Sequence, residues 1–476
     1  MMSYITKRGY VIIKKNFENE ELKKIRDKLT VTPKVIPGFG TEPEPFKIYL
    51  ENKNKMYLPT HYGINKFGKT KLKMKKEEKI RVKFNGKLRE HQKVPIKKCI
   101  ETFKTKGGGI LSLPCGFGKT CCGCYLAAKM CVKTLVIVNK TFLVNQWIER
   151  IKYFLPEAKI GKIQQKTIDI EGKDIVIGML QSIAMRKYEL DVFDSFGLVI
   201  LDECHTVPSK VFSKTLQKVN SKYMLGLSAT PNRKDGLTKV LKWFIGDIIY
   251  KYEKLDTRFN VTVERYSYNN NDNKYSKEVL LFTKKPNIAR MVTNIVECKK
   301  RNKFITEKII ENYKKGRKIL ILSARRKHLE EIYKLLIKNN IENDKTGYYV
   351  GGMKKEELKL TEDKNIILGT YSMASTGMDI AGLNTLLMIS PMSSIEQSVG
   401  RILRKKDENF NPLVIDICDQ FSVFYNQSKK RLRFYNKKKY NIDNYSVDSV
   451  GNIIEEQVNE IEEDDRFEKV GFCFDD

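Results

Sequence analysis

Short unbroken apolar runs, separated by segments of helical length, constrain this chain more than any other feature. From about residue 85 the runs are GILSLP, TLVIVN, DIVIGM, LVILDE and MLGLSAT. Each is rich in Ile, Val and Leu with little alternation, the pattern of strands buried on both faces of a parallel sheet. Intervening stretches such as FLVNQWIERIKYFL carry amphipathic helical spacing. A βαβα order of this kind predicts a doubly wound α/β sheet. A more polar interval, about 245 to 315, contains NNNDNKYSKE and then amphipathic helical sequence. The strand pattern resumes with KILILS, GYYVGG, NIILGT, TLLMIS and PLVIDICD. Two tandem α/β lobes are expected, over 85–246 and 247–440.

The flanks read differently. Residues 1–84 predict a small accessory domain and a linker. Pro33, Pro37, Pro43 and Pro45 with Gly38 and Gly40 break the first part into short extended pieces. Lys69, Lys71, Lys73, Lys75, Lys76 and Lys79 then form a basic run. Near the other end, FSVFYNQSKKRLRFYNKKKY is aromatic and basic. Its residues Lys429, Lys430, Arg431, Arg433, Phe434 and Tyr435 admit two readings: stacking on nucleic-acid bases, or packing as a helix on the second lobe. Residues 441–476 read as an acidic tail, with ten carboxylates from Glu455 onward, and are expected to be mobile.

Bulk properties narrow the class. Hydrophobic residues make up 41% of the chain, enough for packed cores. The formal net charge of +32 suits a polyanionic partner, since each neutralised phosphate releases a counterion, but a Lys-rich solvated surface gives the same sum. Apolar runs are too short for a membrane span or a signal peptide, so a soluble, intracellular, monomeric protein with no membrane partner is expected. The ten cysteines form no spaced framework; Cys115, Cys121, Cys122 and Cys124 read as thiols around a loop and its following helix, without disulfides or zinc.

Four constellations carry chemistry. The first, Leu113-Pro-Cys-Gly116-Phe-Gly118-Lys119-Thr120, follows a strand. Small residues let backbone N–H groups curl around phosphates, Lys119 reaches the β/γ oxygens, and Thr120 offers a hydroxyl to Mg²⁺ at a helix N-terminus. Leu113 stands where the strict pattern has glycine. The second is Asp202-Glu203-Cys204-His205 at the end of GLVILDECH, with Glu203 84 residues after Lys119. Asp202 can hold Mg²⁺ through water, and Glu203 can orient and deprotonate an attacking water. Third, Ser228-Ala229-Thr230 closes the next strand, where its hydroxyls can bond His205 and relay nucleotide state. Fourth, Gln397, Arg401 and Arg404 fall at i, i+4 and i+7, one face of an expected helix, with Val399, Ile402 and Leu403 facing inward. Arginines there can meet charge on a transferring γ-phosphate.

In this order the motifs resemble those of superfamily-two helicases over about residues 85–420. Leu88-Arg89-Glu90-His91-Gln92 looks like the adenine-reading segment, with Gln92 as reader; LVIVNKTFLVNQW and GMLQSIA look like strand-contact motifs. SMASTGMDI, with Thr376, Gly377 and Asp379, looks like a second-lobe counterpart that helps bind nucleotide. His205 and Gln397 set the chain apart from the DEAD-box type, and SATPNRKDGL is similar to the XPB-like and UvsW-like group. PEPFKIYLENKNKMYLPTHYG looks like helicases of large DNA viruses, including the poxvirus-type transcript-release factor. The resemblance implies two RecA-like P-loop lobes that use ATP and Mg²⁺. It implies a virally encoded DNA-dependent ATPase acting in transcription or DNA processing, alongside transcription machinery, in host cytoplasm and packaged in the virion. RNA as the strand, a nucleotide-gated scaffold without strand separation, and a P-loop kinase or GTPase are the alternatives. The last leaves the second lobe's arginines without a task.

Overall fold

The computed structural model describes residues 3–34, 43–114, 116–206, 209–233, 235–252, 259–270, 272–374, 378, 380–403, 407 and 409–457. Of the sequence motifs, Cys115, Thr376, Gly377, Asp379 and Arg404 lie outside the described residues. The chain divides into two compact units, one of residues 1–254 with 375–379, the other of 255–374 with 380–476.

In the first unit an eight-stranded sheet runs in hydrogen-bonded order Thr167–Asp169, Ile160–Gln164, Ile175–Met179, Thr134–Val138, Leu198–Asp202, Tyr223–Ser228, Gly108–Ser112 and Ile248–Lys251. All neighbours are parallel except the first pair. The expected apolar runs form the centre and are buried throughout. Side chains alternate between two cores: Leu135, Ile137, Val199 and Leu201 pack into one, Val136, Val138, Leu198 and Ile200 into the other. The strand Ile248–Lys251 pairs with Gly108–Ser112, so this sheet runs past residue 246, where the sequence reading closes the lobe. Its IIYK is partly exposed at the sheet edge and too short and mixed to read as a core strand.

The accessory region is more ordered than its prolines suggest. Ser3–Thr6, Gly9–Ile13, Lys55–Leu58 and Leu50–Glu51 form an antiparallel sheet, with helices Asn19–Lys28 and Thr60–Phe67. Tyr10, Ile12, Leu22, Ile25 and Met56 share one hydrophobic core with the first lobe. The helix Thr60–Phe67 docks on Thr238–Ile245, with the Tyr62 and Trp243 rings edge to face at 5.3 Å. The basic run continues this attachment as a tether. The backbone of Ile5 bonds Lys71 and Lys73, and Lys75 pairs with Asp194 at 2.9 Å.

The second unit carries another eight-stranded sheet, in order Thr346–Tyr349, Ile366–Thr370, Ile319–Ser323, Thr385–Met388, Leu413–Asp419, Thr262–Tyr268, Asn441–Val447 and Ile453–Gln457. Its neighbours are parallel until the final antiparallel pair. The last two strands correct the reading of 441 onward as a tail. NIDNYSV is only half buried, so it lacks the apolar run that marks a central strand, but its backbone pairs fully with Thr262–Tyr268. Residues 458–476 lie outside the described residues. The chain is α/β, with two mostly parallel sheets of the tandem RecA-like type.

The aromatic-basic segment forms the helix Ser422–Lys438 and turns part of its charge inward. Arg431 bonds both oxygens of the fully buried Asp416 at 2.9 Å, and the Tyr435 hydroxyl donates to Asp416 Oδ2 at 3.1 Å. The packing reading therefore holds for these two residues, while Lys429, Lys430 and Arg433 face solvent. Removing one member of a buried pair strands the other charge in low dielectric. Asp416→Ala is expected to destabilise the second unit by about 3–5 kcal/mol, read as an earlier unfolding transition in urea.

Candidate active site

Three adjacent strands deliver the site of the first unit. Leu198–Asp202, Tyr223–Ser228 and Gly108–Ser112 are hydrogen-bonded neighbours in parallel register, Asp202 beside Leu227 and Ser228 beside Ser112. Their C-terminal ends therefore share one sheet edge, where open α/β sheets bind ligands. From that edge the phosphate-type loop leaves Ser112. Leu113 is buried and its N–H bonds the Ser228 carbonyl at 2.8 Å, so the position that departs from the motif serves as an anchor to the neighbouring strand.

Gly116 and Gly118 have φ of 78° and 92°, where side-chain-bearing residues are strained. Gly118 is the N-cap of the helix Lys119–Met130, so Lys119 and Thr120 occupy its first turn, where N–H groups point outward. A side chain at Gly118 would also strike Gln92, its Cβ falling 2.5 Å from the amide nitrogen. Gln92, expected to read the base, is bonded to the protein at both ends of its amide. It is buried at the third position of helix Glu90–Lys106, where Oε1 accepts from the Arg89 N–H at 2.9 Å and Nε2 donates to the Phe117 carbonyl at 2.8 Å. Both ends of the amide are committed, and the side chain braces the loop.

The acidic pair converges on the lysine. Lys119 Nζ lies 2.7 Å from Glu203 Oε1, both side chains nearly buried. Successive residues of a strand point to opposite faces, but Glu203 has a φ of 45°, which turns the chain so that both carboxylates serve one place. That conformation costs about 1–3 kcal/mol in a non-glycine residue, and the Glu203 N–H donation to Asp202 Oδ1 at 3.0 Å helps hold it. Asp202 Oδ2 accepts from the indole Nε1–H of Trp147 at 2.8 Å. Burial and the negative charge of Glu203 push the Asp202 pKa up to about 6, against the pull of Lys119 and the indole bond. Two carboxylates beside one lysine, with the Thr120 hydroxyl at the helix start, form a hard-oxygen set with surplus negative charge, which fits a magnesium ion.

A second layer links this pair to the next loop. His205 Nδ1 is 2.8 Å from Ser228 Oγ and 3.4 Å from Glu203 Oε2. Burial pushes the His205 pKa down to about 4, leaving a neutral ring at pH 7. Ser228 Oγ also accepts the Thr230 N–H at 3.1 Å. Arg233 donates to the His205 carbonyl at 2.9 Å and pairs with Asp235 at 2.5 Å. Trp147 and Arg233 fall in motifs read from the sequence, but their contacts with Asp202 and His205 were not foreseen. The available signals were an indole inside an otherwise aliphatic helix face and an Arg-x-Asp placed after the hydroxyl motif.

In the second unit the arginine motif differs from expectation. The helix spans only Glu396–Val399, ending at Gly400, so Gln397 is helical and Arg401 lies beyond the helix; Arg404 lies outside the described residues. Val399 and Ile402 are buried as expected, but so is Arg401, whose Nε donates to the Ala374 carbonyl at 2.6 Å. A free main-chain acceptor draws the guanidinium inward. Gln397 is half buried.

Parallel strands ending in a glycine-bent loop and a paired Asp–Glu define a P-loop nucleotide-hydrolase architecture in the first unit, and the second unit is another mostly parallel α/β sheet. Residues 85–233 match the type III restriction enzyme res subunit family, and residues 299–406 match the helicase conserved C-terminal domain. The chain belongs to the superfamily-two helicases, and its relatives include those of large DNA viruses. A protein of Acanthamoeba polyphaga mimivirus, named as an ATP-dependent RNA helicase, is 39% identical over 451 residues, 93% of this chain and 87% of its own length. One of Invertebrate iridescent virus 6, named as a helicase, is 30% identical over 403 residues, 77% of this chain and 85% of its own. A solved fragment named for the HsdR subunit of a type I restriction enzyme from Vibrio vulnificus YJ016 has a TM-score of 0.54 at 17% identity. It covers 79% of this chain and 71% of that one, a likeness of fold.

Trp147→Phe keeps a large ring but removes the bond to buried Asp202, and is expected to cost about 1–3 kcal/mol. Thermal melting and ATP turnover of the variant check this together, both being expected to fall.

Proposed function

We propose that this chain hydrolyses ATP at the first unit's sheet edge and uses the cycle to move along a nucleic-acid strand, DNA in the first instance. The observation that carries the reading is the convergence of Lys119, Glu203 and Asp202 beside the Gly116–Gly118 loop. In this reading the loop N–H groups and Lys119 bind the β- and γ-phosphates. Thr120 and Asp202 would hold Mg²⁺, which supplies positive charge to the transferring phosphoryl group. Glu203 orients the attacking water and takes its proton, a role served by its bond to Lys119 giving way as phosphate takes the lysine. His205, Ser228 and Thr230 transmit the state of Glu203 to the following loop through the bonds already described. Arg401 and Arg404 are assigned to neutralising charge on the γ-phosphate, Asp379 to nucleotide binding and Gln397 to coupling.

Movement on the strand follows from the family's two-unit plan, in which hydrolysis removes the γ-phosphate that favours one arrangement of the units. Phosphate-directed contacts make binding tolerant of sequence. DNA, in transcription or repair, is favoured by the likeness of SATPNRKDGL to the XPB-like group. RNA is the second reading, favoured by the name of the mimivirus relative.

Purified protein should hydrolyse ATP faster with single-stranded DNA than without it. Lys119→Ala and Glu203→Gln should abolish turnover, with nucleotide binding kept in the glutamine variant. Arg401→Ala should slow hydrolysis more than it weakens ATP binding. Stimulation compared across single- and double-stranded DNA, RNA and hybrid identifies the strand. A wild-type rate indifferent to all four refutes the motor.

A further inference from the structure

A second pocket opens at the other end of the same strands. Gly108–Ser112 and Tyr223–Ser228 finish at the phosphate loop and begin at a cavity of about 230 Å³ between the accessory region and the first lobe. Five residues of strand, roughly 3.3 Å each, separate it from the proposed hydrolytic site. Its walls are apolar, formed by Ile64, Leu72 and the stacked pair Phe103 and Tyr223, whose ring centres are 5.4 Å apart. Leu72 is 53% exposed, an apolar side chain left open at the mouth.

One polar side chain is set into this wall with nothing to bond. His61, only 7% exposed, lines the cavity, and among the described residues neither ring nitrogen makes a hydrogen bond. Burial pushes its pKa down to about 4, so at pH 7 the ring is neutral and presents one donor and one acceptor. Around the mouth stand Lys69, Lys104 and Lys106, all exposed. Lys222 also lines it and is already paired with Glu77 at 3.1 Å.

Flat apolar walls, an unsatisfied donor–acceptor ring and a lysine rim together match a planar heterocycle that carries a phosphate. We infer that this cavity binds a nucleotide, its base between the apolar walls and against His61, its phosphate on Lys69, Lys104 and Lys106. The nucleotide is either free or one unit of a bound strand. The pocket's chemistry argues for both sources alike, and the strand source alone rests on the motor reading above.

Ultraviolet crosslinking of the full chain separates the cases. One arm uses a short single-stranded DNA carrying thiothymidine, the other azido-AMP, and labelled peptides are identified by mass spectrometry. Label on the peptides of Phe103 or Tyr223 is expected. Label from the DNA alone assigns the site to a strand, and label from azido-AMP as well assigns it to free nucleotide. No label on these peptides in either arm overturns the proposal. His61→Phe keeps the ring's bulk without its nitrogens and should cut this labelling about tenfold. The surface pair Lys104→Glu with Lys106→Glu should weaken it comparably and make what remains less sensitive to salt. The second variant decides if the first melts early, and unchanged labelling in the folded variants also overturns the site. ATPase assays run in parallel keep the two readings apart. DNA-stimulated hydrolysis with an unlabelled pocket sinks this site alone, and a labelled pocket without stimulation sinks the motor alone.

Discussion

The left-handed turn at Glu203 is the constraint on which the site depends. A regular strand would send Asp202 and Glu203 to opposite faces of the sheet. The positive φ brings both to the same edge, one against Lys119 and the other against Trp147. Such a conformation persists only where surroundings over-determine it, and here the neighbouring bonds do so. The Glu203 amide is held by Asp202, and His205, two residues on, is held by Ser228 and Arg233. The strain is thus spread over a network that joins Lys119, the acidic pair, His205, Ser228 and Arg233.

That network exists because of strand order. Residues 112, 202 and 228 are far apart in sequence and adjacent in space only because Tyr223–Ser228 lies between the other two strands. Close packing behind them is equally specific. Gly123 faces the Trp147 ring, and a Cβ there would fall 2.8 Å from it. The indole that fixes Asp202 is itself fixed by the absence of a side chain on the phosphate-loop helix.

The central strands and the phosphate loop were legible because their signals are local. An unbroken apolar run announces a doubly covered strand, and a glycine-rich turn before Lys-Thr announces a helix start. What was not legible depends on partners remote in sequence. Asn441–Val447 is a strand because Thr262–Tyr268 offers it an edge, not because its residues are apolar. Arg401 reads as an arginine facing a γ-phosphate, and its bond to the Ala374 carbonyl has no signal in the sequence. The brace that Gln92 gives the loop shows only once the bend presents the Phe117 carbonyl to it. In each case a main-chain group, identical in every residue and so silent in sequence, decides the outcome.

The same lesson applies to charge. The excess of +32 suggests a polyanion partner, yet part of the basic complement is structural. Arg301 and Arg431 are buried on Asp419 and Asp416, and Lys133 is buried with its ammonium on Glu78. Such groups contribute little attraction to an approaching strand, because their fields are cancelled within a few ångströms by their partners. Cations that remain outward, among them those of the helix Ser422–Lys438 and around the His61 cavity, are able to release counterions on contact with phosphate. A sum over the sequence weights both kinds equally. Burial separates them, and only the outward cations can answer an approaching phosphate.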